Sequence, residues 1–341
     1  TDGLKASADK IMIKLKEGAC QQLKVVLNNE QFDITGSVNE IIFKRVDQAL
    51  VNKLRLLESV ISYLSVNRVD LVVLIANIGE LATIFDLACK SKGIQSYMII
   101  NGLMTNNYMD EAKYATYINS YSSSIKENYF QGMDNIVAFG DPRMDSYPTS
   151  GIKDVNRVSP TIVIGASGFN STDLNSYTAV EFDFMYDILQ AIDDFDNDVK
   201  IIIKVRPNGY ERQYIDFINK YFGKLDVSVA STLPMKKVLE KADLYISIYS
   251  QTLFEASCMG IPVIYYKKDT EVINPPFDGK SELVTIYDTQ ELIQALNDFQ
   301  VNRIRFDDFL DRDVMEKYIG PLDGKNLERN MNFIENILNN R

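Results

Sequence analysis

Histidine is absent from this chain of 341 residues. Its absence removes both imidazole acid–base chemistry and the commonest transition-metal ligand. Any proton transfer must therefore use Asp, Glu, Lys, Tyr or a water molecule. We expect a protein that works without a metal or another cofactor.

Cysteine is scarce as well. The three cysteines, Cys20, Cys89 and Cys258, are far apart, and two of them lie in predicted amphipathic helices, which favours reduced cytosolic thiols over a disulfide framework. The first ten residues do not form a signal peptide, and no apolar run approaches the roughly 20 residues that a membrane span needs. The sequence predicts a cytoplasmic protein and leaves open a peripheral association with the inner face of the membrane.

Positive charge is also in deficit. The chain has 36 Lys and Arg against 47 Asp and Glu, a net charge of -11. Nucleic-acid binding needs clustered cations, so we expect no nucleic-acid partner. A hydrophobic fraction of 46% is ordinary for a globular protein, and 341 residues are more than one core usually holds, which favours two domains.

Apolar runs alternate with helical patterns in two blocks. The run "DLVVLIAN" (70–77) predicts a strand buried on both faces, which is typical of parallel sheets. A loop rich in Pro, Gly and Ser follows at 141–159, and alternation resumes with the strand "TIVIGAS" (161–167). We therefore predict an α/β protein of two facing, doubly wound Rossmann-like domains, 1–150 and 151–341.

Ligands of open parallel sheets bind beyond the carboxyl ends of the strands, where helix N-termini point. The strand "LYISIYS" ends at Ser250, and Thr252 follows in the next helix. Two hydroxyls at this point favour the binding of an anion such as a phosphate. The alternative is that Ser250 only caps the helix, which contributes about 1 kcal/mol.

Two other strand ends carry suitable residues. Gly165, Ser167 and Gly168 form a turn of small residues that lets the backbone approach a ligand. Lys204 and Arg206 end the strand "KIIIKVRP", and Arg206 suits a bidentate phosphate contact or, alternatively, an internal salt bridge. No Walker loop or GxGxxG fingerprint occurs, which argues against an NTPase or a dehydrogenase.

Four segments carry a family resemblance. They are "ADLYISIYSQTLFEASCMGIPVIYY", "IVAFGDPRMDSY", "KVRPNG" and "PLDGKNLERNMNFI". In this order they resemble the nucleotide-sugar glycosyltransferases of the GT-B fold. The closer resemblance is to bacterial surface-polysaccharide enzymes, which include capsule and Kdo-type transferases and CDP-glycerol glycerophosphotransferases.

The resemblance implies roles for several residues. Glu255 would bind the ribose hydroxyls, Ser250 and Thr252 would hold the phosphate, and Arg206 would lie near sugar or phosphate. It also implies an acceptor-side N-terminal domain, a donor-binding C-terminal domain and a terminal helix that crosses back over the cleft. The remaining donor-site residues would be Gly165, Ser167, Gly168 and Lys204, and Arg143 would lie near the interdomain cleft.

The chain departs from the family where related sequences carry histidine. Those positions are Asn101 and Asn208 here. Three explanations stay open: carboxylate chemistry, a diverged subfamily or an inactive chain. For carboxylate chemistry our first choice of general base is Glu80, after Asn77 at a strand end, and our second is Asp110. Glu80 is alternatively only a helix N-terminal charge.

The function predicted on this basis is metal-independent glycosyl transfer. A UDP-, CMP- or CDP-linked sugar would pass to a surface-polysaccharide or glycolipid acceptor, with Asn77, Asn101 and Arg143 on the acceptor side. Three alternatives remain: a CDP-polyol phosphotransferase of the same fold, a UDP-sugar 2-epimerase, and a catalytically degenerate module that binds a ligand or serves as a scaffold.

Overall fold

The computed structural model describes residues 2–19, 21–75, 80–102, 113–147, 151–168, 178–195, 198–207, 210–268 and 272–340. The chain forms two compact units. The first comprises Thr1–Leu74, Ile78–Ser96 and Tyr114–Thr116, and the second comprises Ile75–Asn77, Tyr97–Lys113 and Tyr117–Arg341.

The beginning of the chain is mostly helical. Its elements are α1 (Asp2–Glu17), β1 (Lys24–Leu27), β2 (Glu30–Asp33), α2 (Thr35–Val66), β3 (Leu71–Ile75) and α3 (Glu80–Lys92). α2 is 32 residues long. α2 and α3 share a small core whose buried members are Val60, Leu64, Ile84, Ala88 and Cys89.

The sequence prediction for β3 is wrong in one respect. The strand forms, but it is not buried on both faces: Val73 is 40% exposed and Ile75 is 74% exposed. These two residues share a face because side chains alternate along a strand. Within the described residues that face has no covering layer, and apolar composition alone could not reveal this.

Three short parallel strands follow, and all their residues except Gln95 and Ser96 belong to the second unit. β4 (Gln95–Ile99) pairs with β5 (Tyr117–Asn119), and β5 pairs with β6 (Ile136–Val137). α4 (Ser123–Tyr129) lies between the last two in sequence, and Ser122 caps it by accepting a hydrogen bond from the amide of Ile125. A single 3-10 turn, Pro142–Ser146, follows.

The larger sheet has six parallel strands in the order β12–β11–β10–β7–β8–β9. They are β7 (Thr161–Gly165), β8 (Lys200–Lys204), β9 (Val227–Ala230), β10 (Leu244–Ser247), β11 (Val263–Tyr266) and β12 (Thr285–Ile286). The chain starts in the middle of the sheet, builds outward on one side and then returns to build the other side. The switch point therefore lies between β7 and β10, where doubly wound sheets bind ligands.

Helices cover this sheet because its strands are apolar on both faces. Every residue of β10 and β11 is buried. The helices are α5 (Thr178–Asp194), α6 (Glu211–Tyr221), α7 (Met235–Leu239), α8 (Thr252–Cys258), α9 (Thr289–Gln300), α10 (Arg312–Ile319) and α11 (Asn326–Asn339). The core includes Ile162, Ile164, Phe184, Ile188, Ile203, Ile246 and Leu296.

α11 packs against the 3-10 turn and the short sheet through Phe333 and a buried amide. The Phe333 ring lies 5.1–5.3 Å from the rings of Tyr97, Tyr117 and Phe139. Asn330, 1% exposed, accepts a hydrogen bond from Tyr97 Oη and another, 2.9 Å long, from Asn119 Nδ2. These contacts hold the segment 139–146 at the sheet edge, and Arg143 lies within it.

Candidate functional site

A pocket of about 230 Å³ opens at the switch point of the six-stranded sheet. It lies at the carboxyl ends of three strands, next to Gly165 of β7, Lys204 of β8 and Ser247 of β10. Seven residues predicted from the sequence line it: Gly165, Ser167, Lys204, Arg206, Ser250, Thr252 and Glu255.

The floor of the pocket needs a glycine at position 165. A Cβ there would overlap Tyr245 Oη and would lie 2.9 Å from Ser247 Oγ. Gly168 has a φ of +110°, which also favours glycine. Its amide donates a 2.9 Å hydrogen bond to Tyr214 Oη. Gly168 therefore anchors the loop from behind and is not among the residues that line the pocket.

Three hydroxyls form a chain along one wall. Tyr245 Oη lies 2.5 Å from Thr252 Oγ1, which lies 2.8 Å from Ser250 Oγ. Ser250 Oγ also accepts a 3.3 Å hydrogen bond from the amide of Thr252. The N-cap residue of α8 is Gln251, which makes no side-chain capping hydrogen bond, so the predicted capping role of Ser250 is wrong, although its hydroxyl binds the amide of the first helical residue. Since α8 has only seven residues, the hydroxyls matter more here than a helix dipole.

Two cations lie on the opposite wall. Lys204 Nζ donates hydrogen bonds of 2.6 Å to the carbonyl of Val205 and 3.1 Å to that of Ser231. Burial lowers the pKa of Lys204. Arg206 is exposed, and its charge acts on the buried Glu181 and Tyr214. Arg206 is therefore the more accessible of the two cations for an anionic ligand.

Glu255 supplies the carboxylate of the pocket. Tyr147 Oη donates a 2.6 Å hydrogen bond to Glu255 Oε2. Burial raises the pKa of Glu255, and the Tyr147 hydrogen bond opposes that effect. Lys236 Nζ lies 5.9 Å from the centre of the Tyr147 ring. The carboxylate is therefore held in place, with Oε1 left for a further donor such as a sugar hydroxyl.

Arg143 adjoins the pocket through Gln251, the residue just before α8. Arg143 Nη2 donates a 2.8 Å hydrogen bond to Gln251 Oε1, and Nη1 donates one of 3.3 Å to Asn101 Oδ1. Its Nε donates to both carboxylate oxygens of Asp141, which is 1% exposed. Gln251 Nε2 also donates to Asp141. The structure thus joins Arg143 and Asn101 to Gln251, at the start of α8; β10 itself ends at Ser247 and not, as predicted, at Ser250.

The remaining predicted residues are not among those that line the pocket. Glu80 begins α3 in the first unit, is exposed and has Oε2 3.2 Å from Lys53 Nζ. Asn77 and Asp110 lie outside the described residues, as does Asn208. The choice of Glu80 or Asp110 as general base stays a prediction.

Sequence reasoning missed four residues that shape the site. Gln251 lies between the end of β10 and the start of α8, so the strand-end rule could have found it. Tyr245 lies in the same buried run. Tyr147 and Glu181 gave no local signal, because their importance comes from partners more than 30 residues away along the chain.

Neither a metal site nor a membrane-spanning helix occurs among the described residues. No group of three or more Cys, Asp or Glu side chains among them is arranged to hold a metal ion. None of their helices combines the length and apolar character needed to cross a membrane.

The fold and the pocket define a Rossmann-like protein of the GT-B class, which confirms the predicted fold class. The family model described as "CDP-Glycerol:Poly(glycerophosphate) glycerophosphotransferase" matches residues 94–336, more than two-thirds of the chain. The chain belongs to this family of transferases, so the predicted resemblance and the general prediction of a transferase are confirmed.

Solved structures agree on the fold. UDP-GlcNAc 2-epimerase from Neisseria meningitidis, bound to UDP-GlcNAc, has a TM-score of 0.62 and 14% identity over 84% of this chain and 81% of its own. HepE from Anabaena, in complex with UDP-glucose, has a TM-score of 0.53 and 11% identity over 87% of this chain and 89% of its own. MurG from Acinetobacter baumannii has a TM-score of 0.53 and 14% identity over 94% of this chain and 87% of its own. A search of curated proteins gave no match.

Proposed function

We propose that this protein transfers a polyol phosphate from a CDP-linked donor to a hydroxyl of a surface-polysaccharide or glycolipid acceptor. The observation that carries the proposal is the convergence of Arg206, a hydroxyl chain and Glu255 in one pocket at the switch point. The pocket lies within the segment that matches the glycerophosphotransferase family. An acceptor of this kind implies that the transfer takes place at the cytoplasmic face of the membrane.

The proposed reaction forms a bond between the acceptor oxygen and the β-phosphorus of the donor. The bond between that phosphorus and the bridging oxygen breaks, and CMP leaves with the electron pair. Arg206, Ser250 and Thr252 would stabilise the negative charge that accumulates on the phosphates. Glu255 would orient the donor by accepting hydrogen bonds from the ribose hydroxyls.

A chain without histidine suits this chemistry. Phosphoryl transfer passes through a loose transition state in most analyses, so catalysis relies mainly on positioning and electrostatic stabilisation. The proton of the attacking hydroxyl would pass to a carboxylate, for which Glu80 and Asp110 remain the predicted candidates. We also propose metal independence, because Arg206 and Lys204 bring positive charge to the pocket; transfer should then persist in EDTA.

Glycosyl transfer is the second candidate. The fold neighbours HepE and the Neisseria epimerase were solved with UDP-glucose and UDP-GlcNAc, so this fold accommodates UDP-sugars in those proteins. The same pocket would then release a nucleoside diphosphate and leave no phosphorus on the product. Identification of the released nucleotide, with phosphorus NMR of the product, separates the two reactions. An epimerase would convert its donor without an acceptor.

A thermal-shift panel of CMP, CDP, CDP-glycerol, UDP, GDP and dTDP tests the proposal. A ligand that binds only the folded state at about 100 times its Kd adds about 2.7 kcal/mol of stability. We expect the cytidine nucleotides to raise the Tm and Arg206→Gln to abolish the rise. The matched control is Arg212→Gln on α6, an exposed arginine that only pairs weakly with Asp216. If no nucleotide raises the Tm, the proposed transfer from a nucleotide-linked donor is wrong and the scaffold alternative remains.

A further inference from the structure

A buried carboxylate lies directly behind the phosphate side of the pocket. Glu181, in the first turn of α5, is 0% exposed. Tyr214 of α6 donates a hydrogen bond to Glu181 Oε1, and the same tyrosine oxygen accepts the 2.9 Å hydrogen bond from the amide of Gly168. An unbroken chain of hydrogen bonds therefore links Glu181 to the loop that includes Gly165 and Ser167.

The surroundings of Glu181 hold it near the middle of its titration at neutral pH. Burial raises its pKa to about 7, against the opposing effects of the Tyr214 hydroxyl, the Ser167 and Gly168 backbone and the charge of Arg206. Among the described residues, α6 carries the titratable groups Glu211, Arg212, Tyr214, Asp216, Lys220 and Tyr221, and the end of β8 carries Lys204, followed by Arg206; of these, Tyr214 and Arg206 act on Glu181. Glu211 is hydrogen-bonded to Ser231 and Lys204 to two carbonyls, whereas the charge of Arg206 acts on Glu181 and favours its ionised form.

We infer that Glu181 is the internal counter-charge of the pocket: it positions the Gly165–Gly168 loop through Tyr214, and it takes up a proton when a nucleotide phosphate engages Arg206. The inference rests on the proposed function, because it needs an anionic ligand at Arg206. Glu181 would act as a positioning residue, since it does not line the pocket.

Electrostatics explains why Glu181 should take up a proton, and not release one, when the phosphate binds. In the free protein the positive charge of Arg206 favours the ionised form of Glu181. A bound phosphate offsets that charge and adds negative charge nearby, and both changes favour the protonated form. One proton then moves from solvent to the carboxylate, and no covalent bond changes. By linkage, nucleotide affinity should rise as the pH falls from about 8 toward about 6.5.

Titration calorimetry with CDP tests the inference. Binding is measured at about pH 7.5 in two buffers with different ionisation enthalpies, which gives the number of protons taken up. We expect the wild-type protein to take up a fraction of a proton per CDP and Glu181→Gln to take up none. The matched control is Asp183→Asn, which removes an exposed carboxylate from the same helix and should behave as wild type.

Tyr214→Phe serves as a second variant in case Glu181→Gln does not fold. It removes the hydroxyl that lowers the pKa of Glu181, so the carboxylate is already protonated before CDP binds, and uptake should shrink. CDP binding with equal proton uptake in wild type and Glu181→Gln, or in wild type and Tyr214→Phe, overturns the inference alone. A wild-type protein that does not bind CDP or any other nucleotide overturns both the inference and the proposed function.

Discussion

At the scale of single residues, the binding role proposed for Glu255 gives a direct test. Tyr147 donates a hydrogen bond to one of its oxygens, and the proposed ligand would use the other. We expect Glu255→Gln to weaken CMP binding about tenfold, or about 1.4 kcal/mol, because a neutral amide is a weaker acceptor for sugar hydroxyls than a carboxylate. The Tm without ligand should change little, because burial already disfavours the charge.

Calorimetry with CMP measures this difference. Glu240→Gln is the control, since Glu240 is a surface residue that pairs with Lys237 on the same helix turn. Unchanged CMP affinity in Glu255→Gln would remove Glu255 from the binding site.

Glu181 should also make folding stability depend on pH. Its pKa is about 7 in the folded protein against a usual 4.5, so the folded state holds the proton more tightly than the unfolded state does. Its contribution to stability is complete below about pH 4.5 and is lost as the pH rises through about 7, a change of about 3 kcal/mol. The glutamine in Glu181→Gln does not titrate, so the stability of this variant relative to the wild type should rise as the pH increases through this range.

Urea unfolding at about pH 5 and about pH 8 tests the sign. We expect the free energy of unfolding of Glu181→Gln, relative to wild type, to be larger at the higher pH. Asp183→Asn again provides the control on the same helix. An equal difference at both pH values would show that Glu181 does not titrate in this range.

At the scale of elements, the end of β7 is packed against β10 with no room for a side chain at position 165. Gly165→Ala should displace the Tyr245 hydroxyl and break the chain to Thr252 and Ser250. Overpacking of this kind costs about 1–3 kcal/mol, and nucleotide binding should fall with it. Adding Tyr245→Phe to the Gly165→Ala variant removes the worst overlap, so it should restore part of the lost stability.

The double-mutant comparison of Gly165→Ala, Tyr245→Phe and their combination measures this coupling by urea unfolding. Gly223→Ala is the matched control, because a Cβ there makes only an ordinary 3.4 Å contact with Asn219 O. Purely additive effects of the two substitutions would contradict the packing described.

The elements of the pocket were largely predictable, whereas the contacts between them were not. The strands β7, β8 and β10 and the short helix α8 follow from apolar patterning and turn residues, although each predicted strand runs two or three residues beyond its observed end at Gly165, Lys204 or Ser247. The pairing of Glu255 with Tyr147, 108 residues earlier, and of Glu181 with Tyr214 depends on tertiary packing. The prediction that β3 is buried on both faces was wrong for the same reason, because composition does not reveal which face of a strand lacks a covering layer.

At the scale of the whole molecule, charge opposes the ligand while the pocket attracts it. The net charge is -11, and a nucleotide is itself anionic. Long-range repulsion acts on the approach of the ligand, whereas Arg206 and the hydroxyl chain act only after contact. Salt screens the first effect strongly, because the Debye length is about 8 Å at physiological ionic strength, and it screens close contacts much less.

We therefore expect the association rate of a fluorescent CDP analogue to rise a few-fold as salt increases from about 20 mM to about 300 mM, while the dissociation rate changes less. Stopped-flow fluorescence measures both rates. Arg206→Gln should raise the dissociation rate and keep the same upward salt dependence of association, because it removes a contact but leaves the overall field negative. An association rate that falls steeply with salt would mean that a local positive field governs the approach, as in nucleic-acid-binding proteins.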